Sequence, residues 1–262
     1  MTAPDDPTFF HWPGLRTLRT TGGLAVLFLA FFYLFYGAAA WLADLLPWRF
    51  NVGFEWEKTI PFLPTSAYLY TSLCWLMLLV LFVIRDIRDI RCLVKVLCLQ
   101  TAIGTLLFVL FPASNNFPPR YAGEALPQIF LIADTLNLRN NELPSLHVCF
   151  AFTTASVLSH YVRKWQAAFL FCWALAIAVS AMTIHEHNLL DIAGGMLLAV
   201  WGVCFWRRLT RRAPIDTPAP ALQNGDFRLR GSPVRDQGLR PFKSNAFDTG
   251  TVNNRPQRRT KP

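Results

Sequence analysis

GGLAVLFLAFFYLFYGAAAWLADLL, residues 22–46, is the stretch whose reading decides the fold. From Gly22 to Ala43 it carries no charged side chain, and Asp44 is the first to interrupt it. About 20 apolar residues in helical form cross a hydrocarbon layer about 30 Å thick, and a helix satisfies every backbone N–H and C=O within the segment. Further apolar runs follow at about 65–84, 92–111, 144–161, 166–184 and 188–206. The chain is therefore expected to be all-α, a polytopic membrane protein built as a bundle of about six transmembrane helices. Of its 262 residues 53% are hydrophobic, more than a water-soluble domain of this size needs.

The basic residues set the expected orientation. Arg16 and Arg19 precede the first run; Arg85, Arg88, Arg91 and Lys95 follow the second; Arg163 and Lys164 follow the fourth; and the chain beyond Trp206 is basic. Every second loop is thus basic, which puts those loops and both termini in the cytoplasm. Loops 47–64, 112–143 and 185–187 then share the outer face, and Trp48 and Trp56 suit its membrane–water boundary. The net charge of +9 resides in residues 207–262, where thirteen Lys and Arg face four Asp. Such a tail suits anionic headgroups or plain solvent, and with no nucleic-acid fold around it no nucleic-acid partner is expected. The expected division is a cytoplasmic segment 1–21, a catalytic membrane domain 22–206 and a basic, largely disordered cytoplasmic tail 207–262. The six cysteines form no CxxC pair and suggest neither a zinc site nor a disulfide framework. The excess of Arg over Lys and the short loops associate the chain with bacteria, hence with the inner (plasma) membrane.

Two segments bring ionisable groups to the outer boundary. Leu143-Pro144-Ser145-Leu146-His147 opens the fourth span, and Ser180 to Asp191, SAMTIHEHNLLD, closes the fifth and opens the sixth. Charged groups at a membrane edge are costly and mark function. His187 and Asp191, four apart at a helix start, share one face. A carboxylate there holds the proton on one ring nitrogen and leaves the other as a nucleophile. His147, from another helix, can donate a proton to a leaving oxygen and later remove one from water or an alcohol. Ser145, at a helix N-terminus, suits a phosphate, and Arg120 offers a planar charged fork for its oxygens. Asp191 is read as the partner of His187, since a cap would precede the helix. His185-Glu186-His187 lacks the HExxH spacing of a zinc helix, so no metal and no cofactor are expected; His185 and Glu186 are expected to line the site or face water. Thr153, Thr154, Ser156 and Ser159 are expected to face other helices, Gly194-Gly195 to permit close packing, and Asn115 and Asn116 to form turns. His160 is expected at the cytoplasmic interface.

These residues resemble the type 2 phosphatidic acid phosphatase superfamily, in its branch of inositol phosphorylceramide synthase and related inositolphosphotransferases. The likeness rests on Pro144-Ser145-Leu146-His147, on His187-x-x-x-Asp191 after Ser180, on Phe117-Pro118-Pro119-Arg120, and on Ile60-Pro61-Phe62-Leu63-Pro64 with Tyr68 and Tyr70; it covers roughly residues 55–205. It implies a six-helix fold, a phosphohistidine at His187, Asp191 as its partner, His147 as acid and base, and no metal. Ala113, Tyr121, Ala181 and Leu146 stand where the superfamily's phosphatases carry Lys, Pro, Arg and Gly. The missing cations place more demand on Arg120 and on Arg139 as phosphate ligands.

The expected function is a lipid phosphotransferase that moves a phosphate or phospho-headgroup from a membrane phospholipid to a lipid alcohol. The alternative is a lipid phosphate phosphatase with water as acceptor, and a more distant one is a non-enzymatic transporter or membrane subunit. A transporter would place its ionisable groups near mid-membrane in broken helices, not at helix starts on one face.

Overall fold

The computed structural model describes residues 10–118, 126–137 and 142–211. Nine helices lie within these residues: α1 Leu15–Asp44, α2 Ala67–Thr71, α3 Leu73–Leu78, α4 Val80–Val83, α5 Ile87–Leu110, α6 Gln128–Leu136, α7 Leu146–Leu158, α8 Lys164–Thr183 and α9 Leu189–Thr210. The protein is an all-α polytopic membrane protein, and among the described residues five helical stretches are long and apolar enough to cross a membrane: Leu15–Asp44, Pro64–Val83, Ile87–Leu110, Lys164–Thr183 and Leu189–Thr210. α7 is the sixth member of the bundle and is shorter, at 13 residues or about 20 Å.

The helix starts follow from their sequences. Asp86 caps α5 by accepting from the Arg88 amide at 2.9 Å, and Gln166 reaches back to the Arg163 amide at 2.9 Å ahead of α8. Pro144 cannot donate and Ser145 caps α7, so the fourth span begins only at Leu146. It ends at Leu158, short of the 144–161 run. Most of its residues are buried on every side, so α7 is a core helix whose apolar character reports burial and not lipid contact. The second span is stepped: a 3-10 turn over Pro64–Ser66 leads into α2, α3 and α4, which meet at Ser72 and Leu79. α1 takes in Arg16 and Arg19, and α9 takes in Arg207 and Arg208, so both end helices outrun the expected limits at 22 and 206. The loop expected at 112–143 contains a helix, α6, whose Phe130 and Ala133 pack on Tyr70, Ala181 and Ile184.

α7 runs parallel to α9 with both ends pinned. At one end the Ser145 amide donates to the Asp191 carbonyl at 2.9 Å. At the other, the Tyr161 hydroxyl donates to Asp89 at 2.6 Å, the Trp206 indole donates to the Asp89 carbonyl at 3.3 Å, and the exposed His160 ring lies against Trp206. Gly195 makes this pairing possible: a methyl group there would collide with the Ser145 carbonyl, a backbone atom that cannot swing aside. Between the ends, Gln100 on α5 donates to the Thr153 hydroxyl at 2.8 Å and the Leu198 carbonyl at 3.1 Å, joining α5, α7 and α9. Thr153 thus faces other helices, as expected.

The loops at the Ser145 end are tied together. Phe50–Asn51 pairs in parallel with Ala113–Ser114, a bridge of two residues per strand. Asn116 accepts from the Asn51 amide group at 3.1 Å, and Asn115 accepts from the Phe117 amide at 2.9 Å in the expected turn.

Candidate active site

The turn that delivers His187 is built first. At the end of α8 the Glu186 amide donates to the Ala181 carbonyl (2.9 Å) and the His185 amide to the Met182 carbonyl (3.0 Å), the paired bonds of a Schellman closure. His185 takes the left-handed position with φ 58°, where glycine is usual, and its ring is held on three sides. It stacks flat on Phe117 at 4.3 Å, lies 5.2 Å from the Phe62 ring, and its Nε2 donates to the Ile60 carbonyl at 3.0 Å. Asn115 donates to the His185 carbonyl at 2.8 Å. The Ile60–Pro64 segment is therefore a cradle for this turn. His185 and Glu186 are both buried, so of the two expected placements, lining the site or facing water, the second does not hold. Their backbone is consumed in closing the helix, so the chain has no slack to turn them outward.

Past the turn the chain enters α9. The Asp191 Oδ2 accepts from the Asn188 amide at 2.8 Å, so Asp191 caps its helix from the third position. Capping and pairing with His187 coexist in one side chain: Oδ2 also lies 3.7 Å from His187 Nδ1. The Leu189 amide is taken by Glu57, whose other carboxylate oxygen accepts from the Phe54 amide. Glu57 is fully buried and anchors the loop after α1 to the start of α9. Its neighbours Glu55 and Lys58 form an exposed ion pair, so nothing in the sequence sets Glu57 apart from a solvated charge.

His147, in the first turn of α7, is covered by Tyr70 from α2. The two rings stack at 4.0 Å with 14° between their planes, and the Tyr70 hydroxyl donates to Asn137 at 3.1 Å. The bond from the Ser145 amide to the Asp191 carbonyl holds the start of α7 against the first turn of α9, so His147 lies at the same end of the bundle as His187. The structure thus brings His147, His187 and Asp191 together at one end of the bundle. Ser145 is there as well, fully buried, with its hydroxyl accepting from the Val148 amide at 3.4 Å as the cap of α7. Any help it gives a phosphate comes through the helix terminus it organises. Arg120 and Arg139 lie outside the described residues.

Glu142 joins this group, and the motif-centred reading passes over it. Its Oε2 lies 3.6 Å from His187 Nδ1. An acidic residue two before Pro144-Ser145, at the membrane edge, was the available signal. Burial alone would push the His187 pKa down; the Asp191 carboxylate and the charges of Glu142 and Glu186 outweigh it and hold the ring above the ordinary value of 6.5. Glu142, His187 and Asp191 each offer an atom within 4.8 Å of the others, a spacing that suits a shared proton and would also suit a cation.

Chemically, this end of the bundle supplies a basic imidazole with carboxylates behind one nitrogen, a second imidazole near it, and two helix N-termini. That inventory fits attack on an electrophilic phosphorus. Residues 108–214, which contain both histidine motifs, match the family model of the PAP2 superfamily. No curated protein and no solved structure matches the chain.

Proposed function

We propose that this chain, similar to the PAP2 superfamily over residues 108–214, is a membrane-embedded lipid phosphotransferase working through a phosphohistidine at His187. The match and the apolar helices fit a membrane lipid phosphatase or phosphotransferase. The observation that carries the finer reading is the 2.9 Å bond from the Ser145 amide to the Asp191 carbonyl, which ties the start of α7, where His147 sits, to the first turn of α9, which His187 immediately precedes.

In this reading His187 Nε2 attacks phosphorus while the proton stays on Nδ1, facing Asp191. The phosphorus–oxygen bond to the donor lipid breaks, and His147 protonates the departing alkoxide. His147, now neutral, takes the proton of an incoming lipid alcohol, whose oxygen attacks the phosphohistidine and frees His187. The N-terminus of α7, with Arg120 and Arg139, balances the charge on the equatorial oxygens. The reaction uses no metal and no cofactor. The site faces outward from a bacterial inner membrane with both termini cytoplasmic; what supports this is that Arg85, Arg88 and Arg91 flank the α4–α5 junction, at the Asp89 end of the bundle, opposite His187.

The test is to incubate the purified full chain in nanodiscs with a panel of headgroup-labelled phospholipids, with and without ceramide, diacylglycerol or inositol lipids, in the presence and absence of a chelator. Label in a new lipid, unaffected by chelation, is the expected result. Label released as free phosphate would make water the acceptor, and no turnover of any donor would sink the enzyme reading.

The pH profile follows from His187. The ring attacks only when deprotonated, and its pKa in the free protein is raised. kcat/KM is therefore expected to climb with pH through a limb that lies above the ordinary imidazole value of 6.5, and to be low on the acid side of it. A limb at or below that value, measured with a substrate whose own phosphate does not titrate there, would contradict the assignment.

A further inference from the structure

We propose that Glu142 is a second positioning carboxylate for His187, acting with Asp191 to keep the ring proton on Nδ1 and so present Nε2 alone to phosphorus. The contact stands by itself; its catalytic consequence rests on reading His187 as the nucleophile.

Two carboxylates approach the same nitrogen from different elements. Asp191 Oδ2 comes from the first turn of α9 at 3.7 Å, and Glu142 Oε2 comes from the segment that leads into α7 at 3.6 Å. The side chains are enclosed, with exposures of 9% for His187, 14% for Glu142 and 0% for Asp191. Both separations exceed an N–H···O bond, and among the described residues Nδ1 has no hydrogen-bond partner. The resting ring is bracketed and not yet clamped, and apo sites often tighten in this way only when substrate arrives.

The two carboxylates are not interchangeable. Asp191 Oδ2 already serves the Asn188 amide at 2.8 Å, so its position is fixed by the cap of its own helix and its charge is partly spent there. Glu142 belongs to the chain that carries His147, so its approach ties the orientation of one imidazole to the placement of the other. Among the described residues, the remaining groups that act on His187 are Glu186 in the α8–α9 turn and His147 on α7, with Tyr70 of α2 stacked behind His147. Of these, the carboxylates favour a proton on the ring and His147 does not.

The consequence is about tautomers. A neutral imidazole carries its proton on whichever nitrogen has the better acceptor, and two anions beside Nδ1 leave the lone pair on Nε2. When Nε2 bonds to phosphorus, the ring with its retained Nδ1 proton becomes positively charged, and two carboxylates offset that charge better than one.

The experiment is nitrogen-15 NMR of the full chain in nanodiscs, labelled at its five histidines, with the His187 signals assigned by their loss in His187→Gln. At a pH above the raised His187 pKa, where the ring is neutral, wild-type protein is expected to show the Nδ1–H tautomer at His187. In Glu142→Gln the Nε2–H form is expected to appear, while kcat falls about tenfold and KM stays within about twofold, because the lost interaction matters mainly in the transition state. Glu142→Asp, which keeps the charge but withdraws it, is expected to fall between the two and serves if the glutamine variant does not fold. An unchanged tautomer in both variants overturns the inference, whatever the activity does. A changed tautomer with full turnover would uphold the contact and sink His187 as nucleophile.

Discussion

Replacing His187 with Ala is expected to lower phosphoryl transfer by roughly ten-thousand-fold or more, the scale seen when a nucleophile is removed from a site that keeps its other parts. The fold should survive the change. The His187 backbone amide donates to the Ala181 carbonyl at 3.2 Å, and the Schellman bonds of His185 and Glu186 involve no atom of the His187 ring. Asp191 keeps its bond to the Asn188 amide, and Glu57 keeps the Leu189 amide. What the variant does lose is the ring between Glu142 and Asp191, so two carboxylates come to face each other. His187→Asn is the companion that leaves a polar group between them. The measurements are transfer rate, membrane-fraction yield and trapping of an acid-labile phosphoprotein with labelled lipid. Loss of turnover and of the trapped label in a normally inserted protein is the expected result, and full activity in either variant would falsify the nucleophile assignment.

The second large effect belongs to His147. His147→Gln is expected to lose roughly a hundred- to ten-thousand-fold with an alkyl phosphate donor, the usual range for a missing general acid. With an aryl phosphate, whose oxide departs without a proton, the first step should be nearly normal. The second step still needs a base, so aryl oxide should appear as a burst of one equivalent and then slow. A merely structural histidine would slow both donors alike. The Tyr70 stack makes this more than a generic forecast: it fixes the plane of the His147 ring at 4.0 Å, so a proton leaves or arrives along one direction. Equal losses with the two donors, and no burst, would remove His147 from the chemistry.

Much of this architecture can be read from residues alone. Long apolar runs give the all-α polytopic class because bilayer physics leaves few other solutions, although five helices and not six are long enough to span among the described residues. His187 and Asp191 do meet, as their four-residue spacing suggests, but His187 stands two residues before α9, so the turn after α8 and not helical periodicity aims its ring. What escapes has a physical reason in each case. α7 is apolar because it is buried, and hydropathy does not distinguish burial from lipid contact, so its length is overestimated. α6 hides in a stretch with many polar and proline residues because nine helical residues with one packed face leave a weak signal. Glu142 and Glu57 act through contacts set by tertiary packing. Glu57 meets the Leu189 amide 132 positions away, and no local pattern announces such a partner.

That last contact has a bearing on how the molecule is made. The carboxylate of Glu57 lies in the loop after the first helix, yet the amide it needs belongs to the final one. A ribosome feeding the chain to the translocon delivers the acid early and the amide that donates to it much later. Until then the anion must stay hydrated in an unfinished loop, because burying it alone costs several kcal/mol. Arrival of the last helix is therefore the event that lets the first loop settle, and a chain truncated before Leu189 should leave that loop open to protease even though its earlier helices have already been threaded into the bilayer.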